Sequence, residues 1–495
     1  MVEGMSDAAV VRPFGGPAAV GERAAAIESS SSPRAGLPLR RVLGVITLAW
    51  MFGSVWFNTT TGEPLTLFAQ KLGASNFQFG LLTALPFLAS LVSLPASLLI
   101  ERTGDRKRVF LGSFYVQRGM WMLIALAPLW IVSHQASASG AALGVFLWLM
   151  FLMYAAGAAG SPAWLSWMAD IVPSRLNGKY FSRRRQWGIL TAVPAAVFVG
   201  WFLDRCVPAA DLAVLRWCSI LFLCCAVCGL TDIHLFQFVP AVPKMPRKGI
   251  RLLAALREPL HNPVFLWCSL FVAALTFAVN LLGQFATLYL LEEVRVSNMA
   301  VQMILVVAPM IAQLLVLGPW GRAADRMSKK PLLTLASIGL VPVGIGWCFV
   351  TPSHVWLAYA LSSLGAALWA GVEVVNLNLV LETSGGLSQR AGGSGYAAVN
   401  SVIINIAGCL GGLTAGIVAQ ILQNWHWQPG PAWKSMNFYD VLFISSGILR
   451  LAAVVMFLLL LPQWIGRRAK RGPDAPLVAP GPSNFNRIVV ENPFA

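Results

Sequence analysis

Twelve apolar stretches follow one another along the chain, and most are as long as a helix must be to cross a bilayer. They run over residues 42–69, 78–100, 109–132, 139–161, 187–203, 213–236, 263–290, 299–319, 332–350, 354–380, 396–422 and 437–462. About twenty helical residues span about 30 Å of hydrocarbon. A soluble fold of this size needs far more charge on its surface: 11% of the 495 residues are Asp, Glu, Lys or Arg and 57% are hydrophobic, against about 25% charged in a soluble domain. Helices satisfy every backbone N–H and C=O inside lipid. The expected fold is therefore an all-α polytopic membrane protein with twelve transmembrane helices.

The net charge of +16 sits in short blocks between the apolar stretches. If the amino terminus is cytoplasmic, the inner loops hold nineteen Lys and Arg and the outer loops with their helix ends hold five. That asymmetry is the positive-inside pattern. It places both termini in the cytoplasm and the chain in the cell (inner) membrane, with membrane lipid rather than nucleic acid as the partner of the basic blocks. Residues 1–39, rich in Ala, Gly, Ser and Pro, read as a disordered cytoplasmic tail, and 466–495 as a second, polar cytoplasmic tail. The connection 237–262, with Pro240, Pro243 and Pro246 among five basic residues, separates six-helix units at 40–236 and 263–465. It reads equally as a solvated linker or as a short amphipathic surface helix.

Two loops in corresponding positions share a pattern. The first contains Ser97, Glu101, Arg102, Gly104, Asp105 and a basic cluster; the second contains Gly321, Asp325, Arg326, Ser328 and another basic cluster. Each puts an acid beside an Arg at a helix end, where a carboxylate meets a guanidinium or the free amides of a neighbouring helix. The pair resembles the signature loops of the major facilitator superfamily of secondary transporters, over roughly residues 40–465. Each copy departs from the family pattern: Ser97, Glu101 and Asp105 in the first, Ser328 in the second. A third stretch, Asp170 through Pro173 and Arg175 to Gly178, resembles the acid-and-turn segment after the fourth helix, with Asp170 expected to pair with Arg175 or a base in 183–185. The resemblance implies two pseudo-symmetric six-helix bundles around a central cavity that opens to alternate faces. It assigns gating to Glu101, Arg102, Gly104, Gly321, Asp325, Arg326, Asp170 and Arg175.

Charges inside membrane helices are costly and mark cavities or partners. Glu63 follows Gly62 and precedes Pro64, a pairing able to interrupt the first helix and free backbone groups for a site. It is a candidate for solute or cation coordination, or an acid on the outer rim. Glu373, with Asn376 three residues on, is a candidate for proton or cation coupling, or a structural ion-pair partner. Arg118 and Arg450 are candidates for binding an anionic solute, or helix–helix partners. Asn280 and Gln284 have the i, i+4 spacing that shares a helix face, either lining the cavity or bonding between helices.

No nucleotide, zinc-protease or serine-hydrolase motif is present in the sequence, so no cofactor and no enzyme activity are expected. The leading expectation is secondary transport of a small-molecule solute, driven by protons or another cation, by a monomer. The alternatives are a non-transporting sensor or lipid-moving protein of the same fold, and a membrane enzyme acting on a lipid-linked substrate.

Overall fold

The computed structural model describes residues 38–173, 176–206, 211–242, 257–383, 393–428 and 435–460. Twelve helices in it are long and apolar enough to cross a membrane. In chain order, α1 is Leu39–Lys71, α2 Asn76–Ile100, α3 Arg106–His134, α4 Ser139–Ile171, α5 Tyr180–Cys206 and α6 Asp211–Phe238. The second half repeats the count: α7 is Pro263–Glu292, α8 Asn298–Ala324, α9 Lys329–Phe349, α10 Val355–Val380, α11 Gly395–Ile421 and α12 Phe438–Leu459. Both described ends of the chain emerge on one face, called here the terminal face. Both expected tails and residues 243–256 of the expected linker lie outside the described residues, apart from Pro38 and Leu39.

Local chemistry sets the helix ends. Ser75 caps α2 in a reciprocal box with Gln78, Asp105 caps α3 and Asn262 caps α7. Each supplies an acceptor to an amide with no partner within its helix. Gly104, at φ 69°, accepts the left-handed turn that closes the helical run before α3.

The helices form two bundles. In the first, α1 packs on α5 and α6, and α3 on α4 and α6; in the second, α7 packs on α11 and α12, and α8 and α9 on α10. The bundles meet where α2 crosses α11 and where α5 crosses the start of α8. At the first crossing, a side chain on Gly412 or Gly416 would strike the backbone around Gly80, so glycine is what lets these helices touch. Leu165, Leu315 and Leu459 stand exposed on the outside, as lipid-facing residues do.

Two helices are broken at corresponding places. α1 consists of Leu39–Thr60 and Glu63–Lys71, separated at Gly62 with φ 87°. α7 consists of Pro263–Asn280 and Phe285–Glu292, with Gly283 at φ 29° in the gap. A β-carbon opposes both backbone conformations. Gly62 and Pro64 thus interrupt the first helix as their sequence suggests.

Candidate functional site

The two breaks sit side by side at the bundle interface. Thr66 Oγ1 donates to Gln284 Oε1 at 2.6 Å, and the Gln284 amide donates to Thr83 Oγ1 at 3.2 Å. Next to them is a cavity of about 300 Å³ lined by Asn58, Gly62 and Glu63 of α1, Thr287 of α7, and Gln302 and Gln313 of α8. Glu63 is 2% exposed and Gln302 is fully buried. The Glu63 carboxylate and the Gln302 amide adjoin, and among the described residues neither has any other side-chain or backbone hydrogen-bond partner. Beside Gln302, α8 runs for one turn as a π-helix, Met303–Val307, a local irregularity common at functional sites.

A second chamber, about 430 Å³, shares Phe57, Asn58, Met310 and Gln313 with the first. It adds Trp50 and Ser54 of α1, and Phe181, Arg184, Arg185 and Gly188 of α5. The Arg184 guanidinium lies 4.3 Å from the centre of the Trp50 ring and 5.2 Å from that of Trp164. Arg185 Nη2 donates to Gln313 Oε1 of the other bundle at 2.9 Å.

Hydrogen bonds between the bundles cluster on the face remote from the termini. There Asp204 of α5 accepts from the Asn298 amide at 2.7 Å, the Asn298 side chain at 2.9 Å and the Met299 amide at 3.2 Å. A carboxylate at the start of α8 also meets the positive end of that helix. Gln70 donates to Glu292 at 2.7 Å. Asn76 donates to the Ala419 carbonyl at 3.3 Å, and the Phe77 amide to Gln420 at 3.3 Å. The chambers lie beneath this seal.

The structure separates the expected site residues. Glu63 is no rim acid: it lines the closed end of the cavity. Arg118 is a helix partner, bonded to Asp232 of α6 at 3.1 Å and to Gln117 at 2.7 Å, with its guanidinium 3.4 Å from the Trp56 ring centre. Arg450, 2% exposed, donates to the Leu340 carbonyl of α9 at 2.7 Å. Glu373 is exposed and accepts from Trp369, one turn earlier, at 3.1 Å. Asn376 is half-buried on the same helix. Asn280 and Gln284 do not share a helix face, because α7 stops between them; Asn280 donates to Thr276 of its own helix at 2.8 Å and packs against Gly411.

In the first signature loop, Arg102 is exposed and Gly104 makes the turn described above. Asp170 pairs with Arg106 at 2.5 Å, not with a base in 183–185, and Arg106 also reaches the Ser166 carbonyl at 2.7 Å. The start of α3 is thereby tied to the end of α4. In the second loop, a β-carbon on Gly321 would meet open space, and Arg326 is exposed. Arg175 and the side chains of Glu101 and Asp325 lie outside the described residues.

Sequence reasoning passed over Arg184, Arg185, Asp204, Asp232 and Gln302. One signal was available for the first: Phe181, Arg184, Gly188 and Thr191 recur at the spacing of a single helix face.

A family profile of the Major Facilitator Superfamily matches residues 45–415. No curated protein matches the chain in sequence. Among solved structures, a bacterial homolog of the human lysosomal transporter Spinster, inward-facing and occupied, is 15% identical with a TM-score of 0.65, over 89% of this chain and 100% of that one. A bacterial homologue of the iron transporter ferroportin, inward-facing, is 13% identical with a TM-score of 0.64, over 87% and 100%. A mutant of the nucleoside transporter NupG is 12% identical with a TM-score of 0.62, over 86% and 100%. At these identities the likeness concerns the fold.

Proposed function

Because the chain belongs to the major facilitator superfamily, whose members carry small solutes across membranes, we propose that it is a secondary active transporter whose solute crosses through the two joined chambers by alternating access. The observation that carries this reading is the cavity between the bundles, sealed by inter-bundle hydrogen bonds on one face. The broken helices α1 and α7 beside it support the same reading, since interrupted helices in matching halves supply polar backbone to transport sites. With both termini cytoplasmic in the cell membrane, the orientation favoured by the basic loops, the conformation described here is inward-facing. The membrane-enzyme alternative does not fit this family.

Coupling falls to Glu63. A buried carboxylate beside a neutral amide, with no cationic side chain within 4 Å among the described residues, is stable only when a proton or another cation neutralises it. When the outer seal opens, water reaches the site and the ionised form is solvated. A group neutral in one access state and charged in the other links ion movement to the conformational change. Glu373, exposed beside Trp369, is the second candidate for this role.

The test needs no knowledge of the solute. Asn58 lines both chambers. Asn58→Cys, measured against the unsubstituted chain in sealed vesicles of each orientation, should react with an impermeant thiol reagent from either face. A cysteine pair at Phe77 and Gln420, once oxidised, should abolish reaction from the outer face alone. Reaction from one face only in the absence of the cross-link, or outer-face reaction that the cross-link leaves unchanged, contradicts alternating access.

A further inference from the structure

We propose that the solute is a small organic anion, a carboxylate or phosphate on an apolar ring-sized body, held by Arg184 with Arg185 in the larger chamber. The inference rests on the transport reading above and names the class of solute that this cavity takes.

Arg184 is 9% exposed and lines the chamber, and its Nε has no hydrogen-bond partner. Among the described residues, no carboxylate lies within 4 Å of either Arg184 or Arg185. Asp232, whose field reaches Arg184, is already bonded to Arg118. Arg185 bonds a neutral amide, and Glu373 acts on it only at longer range. Two guanidinium groups therefore face one cavity without a neutralising ion pair.

A buried charge calls for a partner, and the planar fork of a guanidinium matches carboxylate or phosphate oxygens two at a time. The fork is preorganised. Its guanidinium carbon lies over the indole rings of Trp50 and Trp164, which hold it in place. Gly188 permits this arrangement, because a β-carbon there would strike the Trp50 indole nitrogen. The Ser54 hydroxyl fixes the approach of α1 to α5 by bonding the Gly188 carbonyl at 3.0 Å.

The rest of the chamber specifies the body of the solute. Trp50, Phe57, Phe181, Ile189 and Met310 supply aromatic and aliphatic wall. Apolar walls with a few convergent polar groups are the common build of a small-molecule site. Asn58 and Gln313 stand where this chamber joins the one holding Glu63. An anion seated on the arginines thus occupies the chamber adjoining the one that Glu63 lines, and neutralising Glu63 removes a like charge that opposes its entry.

The experiment titrates purified full-length protein in lipid nanodiscs with four probes, benzoate, benzyl phosphate, benzyl alcohol and benzylamine, following tryptophan fluorescence and thermal stability. At least one of the anions should bind at least tenfold more tightly than the neutral and cationic probes. Arg184→Gln should reduce that affinity at least tenfold and Arg184→Lys by less. Arg185→Gln, checked for native elution, supplies the same comparison should Arg184→Gln not fold. Equal binding of all four probes, preference for benzylamine, no binding of either anion, or unchanged anion binding in the folded arginine variants would each overturn the inference. Thiol accessibility at the Asn58 position does not depend on solute chemistry, so alternating access stands or falls separately.

Discussion

In the first bundle, Arg118 of α3 reaches Asp232 of α6; in the second, Arg450 of α12 reaches the Leu340 carbonyl of α9. Both arginines join the third and sixth helices of their halves, and both are buried. One has a carboxylate partner and the other a backbone dipole. The cavity shows the same division. The first half contributes Glu63, Arg184 and Arg185, and the second contributes the amides Gln302 and Gln313. Two halves with matching helix breaks have therefore kept a shared skeleton while the charged chemistry gathered in one of them. A rocking mechanism needs only the skeleton to be symmetric, whereas recognition and coupling need charge on at least one wall.

The largest expected effect tests the paired arginines. Asp232→Ala leaves a buried guanidinium uncompensated and should cost about 3–5 kcal/mol of stability, read as a large fall in thermal unfolding temperature in detergent. Arg450→Met removes charge and hydrogen bond together and should cost about 1 kcal/mol or less. Equal losses at the two sites would show that the bundles do not differ in this respect.

The next effect concerns the crossing between halves. A side chain at Gly412 would strike the backbone at Ala84 and Gly80, and overpacking of this kind costs about 1–3 kcal/mol. In the proposed alternating-access cycle this contact parts as the outer face opens, so Gly412→Val should favour the outward-open state. Thiol labelling of a cysteine at Asn58 should then become faster from the outer face and slower from the inner one. Unchanged labelling from both faces would mean that α2 and α11 do not part during exchange.

How far the sequence could be read follows from the same residues. Twelve hydrophobic segments and the break at Gly62 were legible because each depends on neighbours in the chain. The start of α5 was not. The three charges Arg183, Arg184 and Arg185 lower local hydrophobicity and look like an inner loop, yet the helix begins at Asn177 and carries Arg184 into the interface. Asp232 and Arg118 lie 114 residues apart, and no spacing rule brings them together. Asn280 and Gln284 have helical spacing, but the gap at Gly283 cancels it. Asp204 reads as an ordinary acid at a helix end until the start of α8 is seen against it.

A smaller effect is expected at Asp204. Its carboxylate binds two backbone amides at the start of α8, and the interaction of a charge with a helix end is worth about 1 kcal/mol. Asp204→Asn should shift the ratio of outer to inner labelling by roughly fivefold toward the outer face. No shift would remove Asp204 from the seal. The smallest effect is expected at Glu373, which is exposed and bonded within its own helix. Glu373→Gln should change stability by less than about 0.5 kcal/mol and leave proton-driven accumulation near that of the unsubstituted protein, whereas Glu63→Gln should abolish accumulation and spare counterflow. The reverse pattern would move coupling into the second bundle.

In the proposed alternating-access cycle, the seal that joins two unlike halves on one face opens to let the solute pass. Pulsed electron spin resonance between labels at Lys71 and Gln423, in lipid nanodiscs, measures that opening directly. The expected result is two distance populations, one matching this structure and one longer, with the longer one enriched by Asp204→Asn. A single population at the distance seen here, unaltered by Asp204→Asn, would contradict transport by alternating access.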